Sequence, residues 1–266
     1  MVNRLKRYIK RNIFKHIWNS RGSFPYYQQQ VYFPKNSIIF SRVIDEGIYE
    51  YGNVKIMETL IKPNTFVLDI GANIGLMAIP MLTSSKNVSV ISVEPSPNSF
   101  PYLLKTQQHS LFNDRWSLIN KATSNISGKI NFQLAKPADA AYESILNTNR
   151  TTFINSIEVE CTTIDHIWLE YKEPNVSFIK IDIEGADLLA LKGAKECINK
   201  CKPTILMEWN KVNIIPFKVD NRDLMAFSKE MNYHIFALPY FTKCETVKDL
   251  DLLYHFEENF LLIPNE

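Results

Sequence analysis

Cysteine is scarce in this 266-residue chain: Cys161, Cys197, Cys201 and Cys244 are the only four. Only Cys197 and Cys201 are near each other, and their spacing is wider than the two-residue gap usual in zinc and redox motifs. Such sparse thiols read as the reduced cysteines of a cytoplasmic protein rather than as metal ligands. No run approaches the roughly 20 apolar residues needed to span a bilayer, and the N-terminus lacks the continuous apolar core of a secretory signal. Acidic residues are missing from positions 1–44, which hold nine Lys or Arg. The remainder carries 21 basic and 28 acidic residues, a balance of −7, so the body is mildly acidic. That distribution argues against a broadly cationic binder, and no nucleic-acid partner is expected. At 45% hydrophobic and 22% charged residues, the composition excludes a disordered tail, a collagen-like repeat and a coiled coil. A chain of this length buries about three quarters of its unfolded surface, so it requires no disulfide or metal staple.

The basic arm has a pattern of its own. Leu5, Ile9, Ile13 and Ile17 recur at every fourth position, with Arg4, Lys6, Arg7, Lys10, Arg11 and Lys15 between them. One helix face is apolar and the other basic. Two readings stand: a helix packed on its own domain, or peripheral contact of residues 1–20 with an anionic membrane surface. Residues 1–45 are therefore set apart as a basic amphipathic extension, and residues 46–266 as the body.

Beyond residue 60, short β-rich apolar runs alternate with helical patterns. The runs are Phe66–Leu68, Val88–Val93, Ser117–Ile119, Val176–Ile181, Thr204–Met207, Tyr233–Leu238 and Phe260–Ile263. Helical patterns cover Gly75–Thr83, Ser99–His109, Ala186–Asn199 and Arg222–Met231. Continuous apolar runs suit strands covered on both faces, and the alternation predicts a doubly wound α/β sheet. Two more β-like stretches, Lys129–Leu134 and Ile157–Thr162, flank a loop-rich segment at 135–156.

The most informative turn is Asp69-Ile70-Gly71-Ala72-Asn73-Ile74-Gly75. A strand ends at Asp69, small residues follow, and a helix is predicted from near Gly75. Ligands of doubly wound sheets sit beyond the carboxyl ends of such strands. Gly71 and Ala72 leave room for a ligand to approach the backbone, and Gly75 for close helix–strand contact. A dinucleotide fingerprint fits poorly, because Asn73 occupies the third position, where a glycine is required, and Met77 lies near the sixth. A carboxylate at the strand end repels pyrophosphate but suits a cationic ligand such as S-adenosylmethionine. The next run ends in Glu94-Pro95, 19 residues past Gly75, where an acid accepts hydrogen bonds from a ribose diol.

A second acidic cluster lies in Phe178-Ile179-Lys180-Ile181-Asp182-Ile183-Glu184-Gly185-Ala186-Asp187. Asp182 and Glu184 are expected at the same sheet edge as Asp69 and Glu94. Carboxylates converging there need a ligand, a proton or a metal to offset their repulsion. Asp182 is the first choice for a general base and Glu184 the second, with Lys180 orienting them or keeping them ionised. A divalent cation is not favoured, since no separate metal signature appears. His166 reads as structural.

At these residues the chain resembles the FkbM family of S-adenosylmethionine-dependent methyltransferases. The resemblance rests on Glu50 after Gly47-Ile48-Tyr49, the glycine turn, Val93-Glu94-Pro95, Thr162-Thr163-Ile164-Asp165, the Lys180–Asp187 element, Leu191-Lys192-Gly193-Ala194 and Lys202–Glu208. Asp187 stands where the family has Glu. The resemblance implies a class I, Rossmann-like, seven-stranded sheet, and S-adenosylmethionine held by Glu50, Asp69, Gly71, Ala72, Asn73, Gly75, Glu94, Pro95 and Asp182. It also implies O-methylation of a sugar, glycan or natural-product hydroxyl. Two rivals remain: a methyltransferase acting on RNA or protein, and a non-catalytic nucleotide-binding module.

Overall fold

The computed structural model describes residues 2–265, with side chains described from residue 11 onward. Helix α1 (Val2–Arg21) leads into a hairpin of β1 (Ser23–Tyr26) and β2 (Gln29–Tyr32). Its two-residue turn, Tyr27-Gln28, has both residues at positive φ (47° and 60°), the geometry that matches strand twist in a tight hairpin. Helix α2 (Ile38–Glu46) is capped by the Ser37 hydroxyl and stopped at Gly47, and α3 (Tyr51–Leu60) follows. Trp18 packs against the body, Asn19 exchanges hydrogen bonds with Asn36, and Arg11 pairs with Asp45 on α2 at 3.0 Å. Ile13 of the expected stripe is 52% exposed. The side chains of Leu5 and Ile9 lie outside the described residues. No described helix is long and apolar enough to cross a membrane.

The body alternates as expected: β3 (Phe66–Ile70), α4 (Ala78–Thr83), β4 (Ser89–Val93), α5 (Phe100–Gln108) and β5 (Trp116–Ile119). A side sheet of β6 (Ala122–Thr123), β7 (Gly128–Leu134) and β8 (Asn155–Thr162) comes next. The chain returns through α6 (Ile164–Glu170), β9 (Val176–Ile181), α7 (Asp187–Lys192), α8 (Lys195–Cys201) and β10 (Thr204–Glu208). After a helix at Asn221–Met231 come β11 (Tyr233–Ala237), β12 (Thr242–Cys244) and β13 (Asn259–Pro264). The main sheet runs β12-β11-β13-β10-β9-β3-β4-β5. Its five strands from β10 to β5 are parallel, and β13, β11 and β12 pair antiparallel.

This is the class I methyltransferase-like α/β fold. All seven predicted runs are strands of the main sheet, but the sheet has eight. The extra strand, β12, is a three-residue edge strand with exposed Thr242 and Lys243, too short and too polar to be marked by an apolar run. The helix after the glycine turn begins at Ala78 rather than near Gly75, because Asn73 (φ 49°) and Gly75 (φ 92°) adopt left-handed conformations that no helix accommodates.

Strand alternation divides the core. Leu68, Ile91, Ile179 and Ile205 face one apolar cluster with α6, α7 and α8, whereas Val67, Val90 and Phe178 face the other. That second cluster also takes Phe24, Phe33 and Phe40 from the N-terminal hairpin and α2. The chain order leaves β3 toward β4 on one side and returns to β9 on the other. The crevice beyond β3 and β9 is therefore the switch point where ligands bind in doubly wound sheets.

The predicted helix at 186–199 is two helices, broken at Gly193-Ala194. A Cβ on Gly193 would lie 2.4 Å from the Ser124 carbonyl oxygen, and the Gly193 carbonyl accepts from the Asp165 N–H at 2.9 Å. The Asp165 carboxylate in turn accepts from the N–H groups of Glu196 (3.1 Å) and Cys197 (2.9 Å), capping α8. The Thr-Thr-Ile-Asp element thus clamps helices rather than binding a ligand. Asp165→Ala should cost about 1–2 kcal/mol from the lost cap, seen as a melting temperature lowered by about 3–6 °C. An unchanged melting temperature would deny Asp165 that role.

Candidate active site

Three polar side chains face the same side of the sheet in register. Lys180 on β9 lies opposite Asp69 on β3, and Asp69 lies opposite Ser92 on β4. Ser92 Oγ donates to Asp69 Oδ2 at 3.2 Å and accepts from Trp116 Nε1 at 2.9 Å. Lys180 Nζ stands 3.9 Å from Asp69 Oδ1 and 3.7 Å from Asp182 Oδ2, and donates to the Gly71 carbonyl at 3.0 Å. Burial alone would lower the lysine pKa, but Asp182, Asp69 and Glu50 around it raise it well above its ordinary value, so it stays charged.

Above this row opens a cavity of about 1020 Å³, counting its open mouth. Of the expected residues, Glu50, Gly71, Ala72, Asn73, Glu94, Pro95, Lys180, Asp182 and Glu184 line it. Asp69 and Gly75 are not among its lining residues. Asp69 is fully buried, turned toward Lys180 and Ser92, and acts through the lysine. Gly75 is needed for packing: a Cβ there would lie 2.8 Å from the Trp116 ring. Gly71 is a matter of space too, since its Cβ would fall 2.0 Å from the Asp182 carbonyl oxygen.

Glu94 accepts the N–H groups of Asn73 and Ser96, both at 2.8 Å, one on each carboxylate oxygen. Each oxygen keeps a lone pair for a ligand hydroxyl. Burial pushes its pKa up to about 7, against the lowering effect of those two donors. Glu50, in a left-handed conformation (φ 48°), accepts from Asn53 Nδ2 at 2.9 Å. Burial and then Asp182 raise its pKa.

At the other end of the cavity, Glu208 at the end of β10 joins Asp182 and Glu184. One carboxylate oxygen from each lies within 4.8 Å of the others. Arg150 Nη1 donates to Glu184 Oε2 at 2.9 Å and stands 3.7 Å from Glu208 Oε2. Burial, then Asp182, pushes Glu184 up to about 8, opposed by Arg150. Burial, then Asp182, likewise brings Asp187 to about 7, although it accepts from the Gly185 N–H at 3.0 Å.

Sequence reasoning missed four contributors. Glu208 could have been found, since it ends a predicted strand as Asp182 does. Arg150 and Glu143 come from the segment at 135–156, where no motif marks them. Glu143 accepts from Ser96 Oγ, from Asn98 Nδ2 at 2.7 Å and from the Ala135 N–H at 2.9 Å, tying that segment to the loop after β4. Thr123 lines the cavity, and its buried Oγ1 has no hydrogen-bond partner among the described residues.

The model of the Methyltransferase FkbM domain matches residues 69–235, well over half of the chain. The chain belongs to the FkbM methyltransferase family. S-adenosylmethionine is the cofactor expected of such a methyltransferase. The FkbM methyltransferase from Methylobacillus flagellatus KT has a similar fold, with TM-score 0.52 at 16% identity, over 95% of this chain and 59% of that one. The ribosomal RNA small subunit methyltransferase G of Mycoplasmopsis pulmonis (strain UAB CTIP) is 30% identical over 91 residues, 34% of this chain and 38% of that protein. Methyltransferase sdnD of Sordaria araneosa is 22% identical over 184 residues, 59% of this chain and 68% of that protein. This FkbM chain thus spans 59% and 38% of the first two proteins named, less than two thirds of each.

Glu94, Asp187 and Glu184 have folded-state pKa values (about 7, 7 and 8) above the ordinary values of 4.5, 3.8 and 4.5. Between those limits the folded chain binds more protons than the unfolded one, so stability falls as pH rises through the window. The ligand-free protein should therefore melt higher at about pH 5.5 than at about pH 8, and Glu94→Gln should narrow the gap. A melting temperature that is flat or rises over this range would contradict the assignment.

Proposed function

We propose that this methyltransferase transfers a methyl group from S-adenosylmethionine to a hydroxyl of a small acceptor, a sugar, glycan or other natural product. The observation that carries this reading is the state of Asp182. Its carboxylate lines the cavity, its side chain is 28% exposed, and Lys180 at 3.7 Å is its charged neighbour. This supports a role in accepting a proton from a hydroxyl brought against it, since a hydroxyl is a poor nucleophile until a base takes that proton.

The residues present fit the cofactor. Glu94 offers two free lone pairs to a ribose diol, Glu50 and Asp182 offer negative charge to a sulfonium and an ammonium, and the unpartnered Thr123 hydroxyl offers a further hydrogen bond. The cofactor, when bound, supplies a methyl group already activated for in-line displacement. The protein's share is alignment and proton removal. Asp182 removes the proton, Lys180 holds Asp182 against the glycine turn, and Glu184 borders the acceptor side. Tyr142, Ile145 and Phe132 form the wall there, an apolar and aromatic surface suited to a small organic acceptor. The likeness to the ribosomal RNA enzyme covers 34% of the chain and brings no acceptor with it. The reading places the enzyme in the cytoplasm, with residues 1–20, where Ile13 stands exposed, as its contact to an anionic membrane surface.

Two substitutions separate binding from chemistry. Glu94→Ala should weaken S-adenosylmethionine binding more than about tenfold by calorimetry, the loss of hydrogen bonds to a charged acceptor. Asp182→Asn should leave the fold intact and lower turnover by about 10²–10⁴ on a hydroxyl acceptor found by screening. Turnover within about threefold of wild type would move the proton acceptor to Glu184.

A further inference from the structure

Asp182, Glu184 and Glu208 make an oxygen-rich trio of the kind that hard divalent cations take. The trio already contains a cation of the chain's own. We propose that Arg150 is the resident counter-ion of this site, its guanidinium standing where a divalent cation would otherwise bind and leaving Asp182 as the one free carboxylate of the three. Arg150 is then a positioning residue, acting through Glu184 and Glu208.

Three observations carry this. First, a single nitrogen, Nη1, reaches Glu184 Oε2 at 2.9 Å, Asn213 Oδ1 at 3.4 Å and Glu208 Oε2 at 3.7 Å. A metal ion bound at about 2.0–2.6 Å from the same oxygens would be in contact with that nitrogen and repelled by its charge. Second, the guanidinium is held from behind. Its carbon lies 4.9 Å from the centre of the Tyr142 ring, and its side chain is 20% exposed. Asn213, beside it, also donates to Glu208 Oε2 at 2.7 Å, so both acids have partners. Third, the same segment grips Glu184 by its backbone. Ser144 Oγ donates to the Glu184 carbonyl at 3.0 Å, and Glu184 is in the left-handed region (φ 55°), which a non-glycine residue occupies only when its surroundings hold it there. The segment at 135–156 thus fixes both ends of Glu184 and delivers the compensating charge.

The consequence for the proton acceptor rests on the proposed function, but the ion balance does not. It is tested with Mn²⁺ alone, on the full chain without acceptor, by the electron paramagnetic resonance of unbound Mn²⁺. Wild type and Arg150→Lys should show no saturable site at up to about 1 mM. Arg150→Met should gain one at least tenfold tighter, and adding Glu208→Gln to that variant should abolish it. A merely structural arginine would not create a metal site when removed. Arg150→Gln, which keeps a polar side chain over Tyr142, gives the same readout if Arg150→Met fails to fold, as melting would show. Saturable binding by wild type that Glu208→Gln removes would overturn the proposal. So would a folded Arg150→Met or Arg150→Gln that binds no Mn²⁺. Failure of the hydroxyl-acceptor reading would leave every one of these measurements unchanged.

Discussion

The charge on Lys180 is the constraint around which the site is arranged. An ammonium buried in the middle of a parallel sheet is tolerable only if its surroundings replace the water it has lost. Here the replacement comes from three directions: Asp69 on the neighbouring strand, Asp182 two residues on, and the Gly71 carbonyl of the turn. Each partner is in turn held. Asp69 takes the Ser92 hydroxyl, Ser92 takes the Trp116 indole N–H, and the Trp116 ring covers Gly75. The glycine turn is thus tied to the lysine by its carbonyl at Gly71 and to the tryptophan by contact at Gly75. Removing one member strands the others, because a buried polar network is worth having only when it is complete.

Such a floor explains why the cavity can gather acids at all. Glu50, Glu94, Glu143, Asp182, Glu184 and Glu208 face it, against Arg42, Lys180 and Arg150, and Lys180 and Arg150 pair with the acids at the distances given above. The balance is negative: burial is the first cause of the raised values of Glu50, Glu94 and Glu184, and repulsion by neighbouring acids adds to it. A ligand with positive charge relieves that repulsion on entering. The charges lining the cavity therefore favour a cation.

Much of this was legible in the sequence, for a physical reason. Strands covered on both faces must be continuously apolar, so β3, β4, β9 and β10 announce themselves, and polar residues at their ends are conspicuous. That is how Glu94 and Asp182 were found. The same reasoning set Asp69 beside Glu94 and Asp182, whereas its side chain is turned into the sheet, because a strand residue's side is set by its register against Lys180 and Ser92, which one-dimensional spacing does not contain. Gly75 does allow the close helix–strand contact expected of it, but the partner, Trp116, lies about 40 residues away in the chain and could not be named from spacing. Arg150 and Glu143 carried no signal. They sit on irregular chain whose course is decided by the hydrogen bonds it finds, not by a periodic pattern of its own.

The acids near the strand ends show how far identity falls short of role. Asp69, Glu94, Asp182 and Glu208 belong to four adjacent parallel strands or the turns that follow them, and differ by at most one methylene. Asp69 is enclosed beside an ammonium and serves it. Glu94 takes two backbone N–H groups from turns on either side, and those fix its direction while leaving lone pairs open. Glu208 is engaged by Asn213 and faces Arg150. Asp182 lines the cavity with no side-chain hydrogen bond among the described residues, and Lys180 stands 3.7 Å away as its charged neighbour. The sheet supplies four equivalent positions, and the neighbours assign them. The neighbours of Asp69 and Asp182 come from the sheet itself, whereas the guanidinium facing Glu208 comes from the irregular segment that walls the cavity on that side. Changes in that segment can therefore reshape that end of the cavity while the lysine and the glycine turn stay where they are.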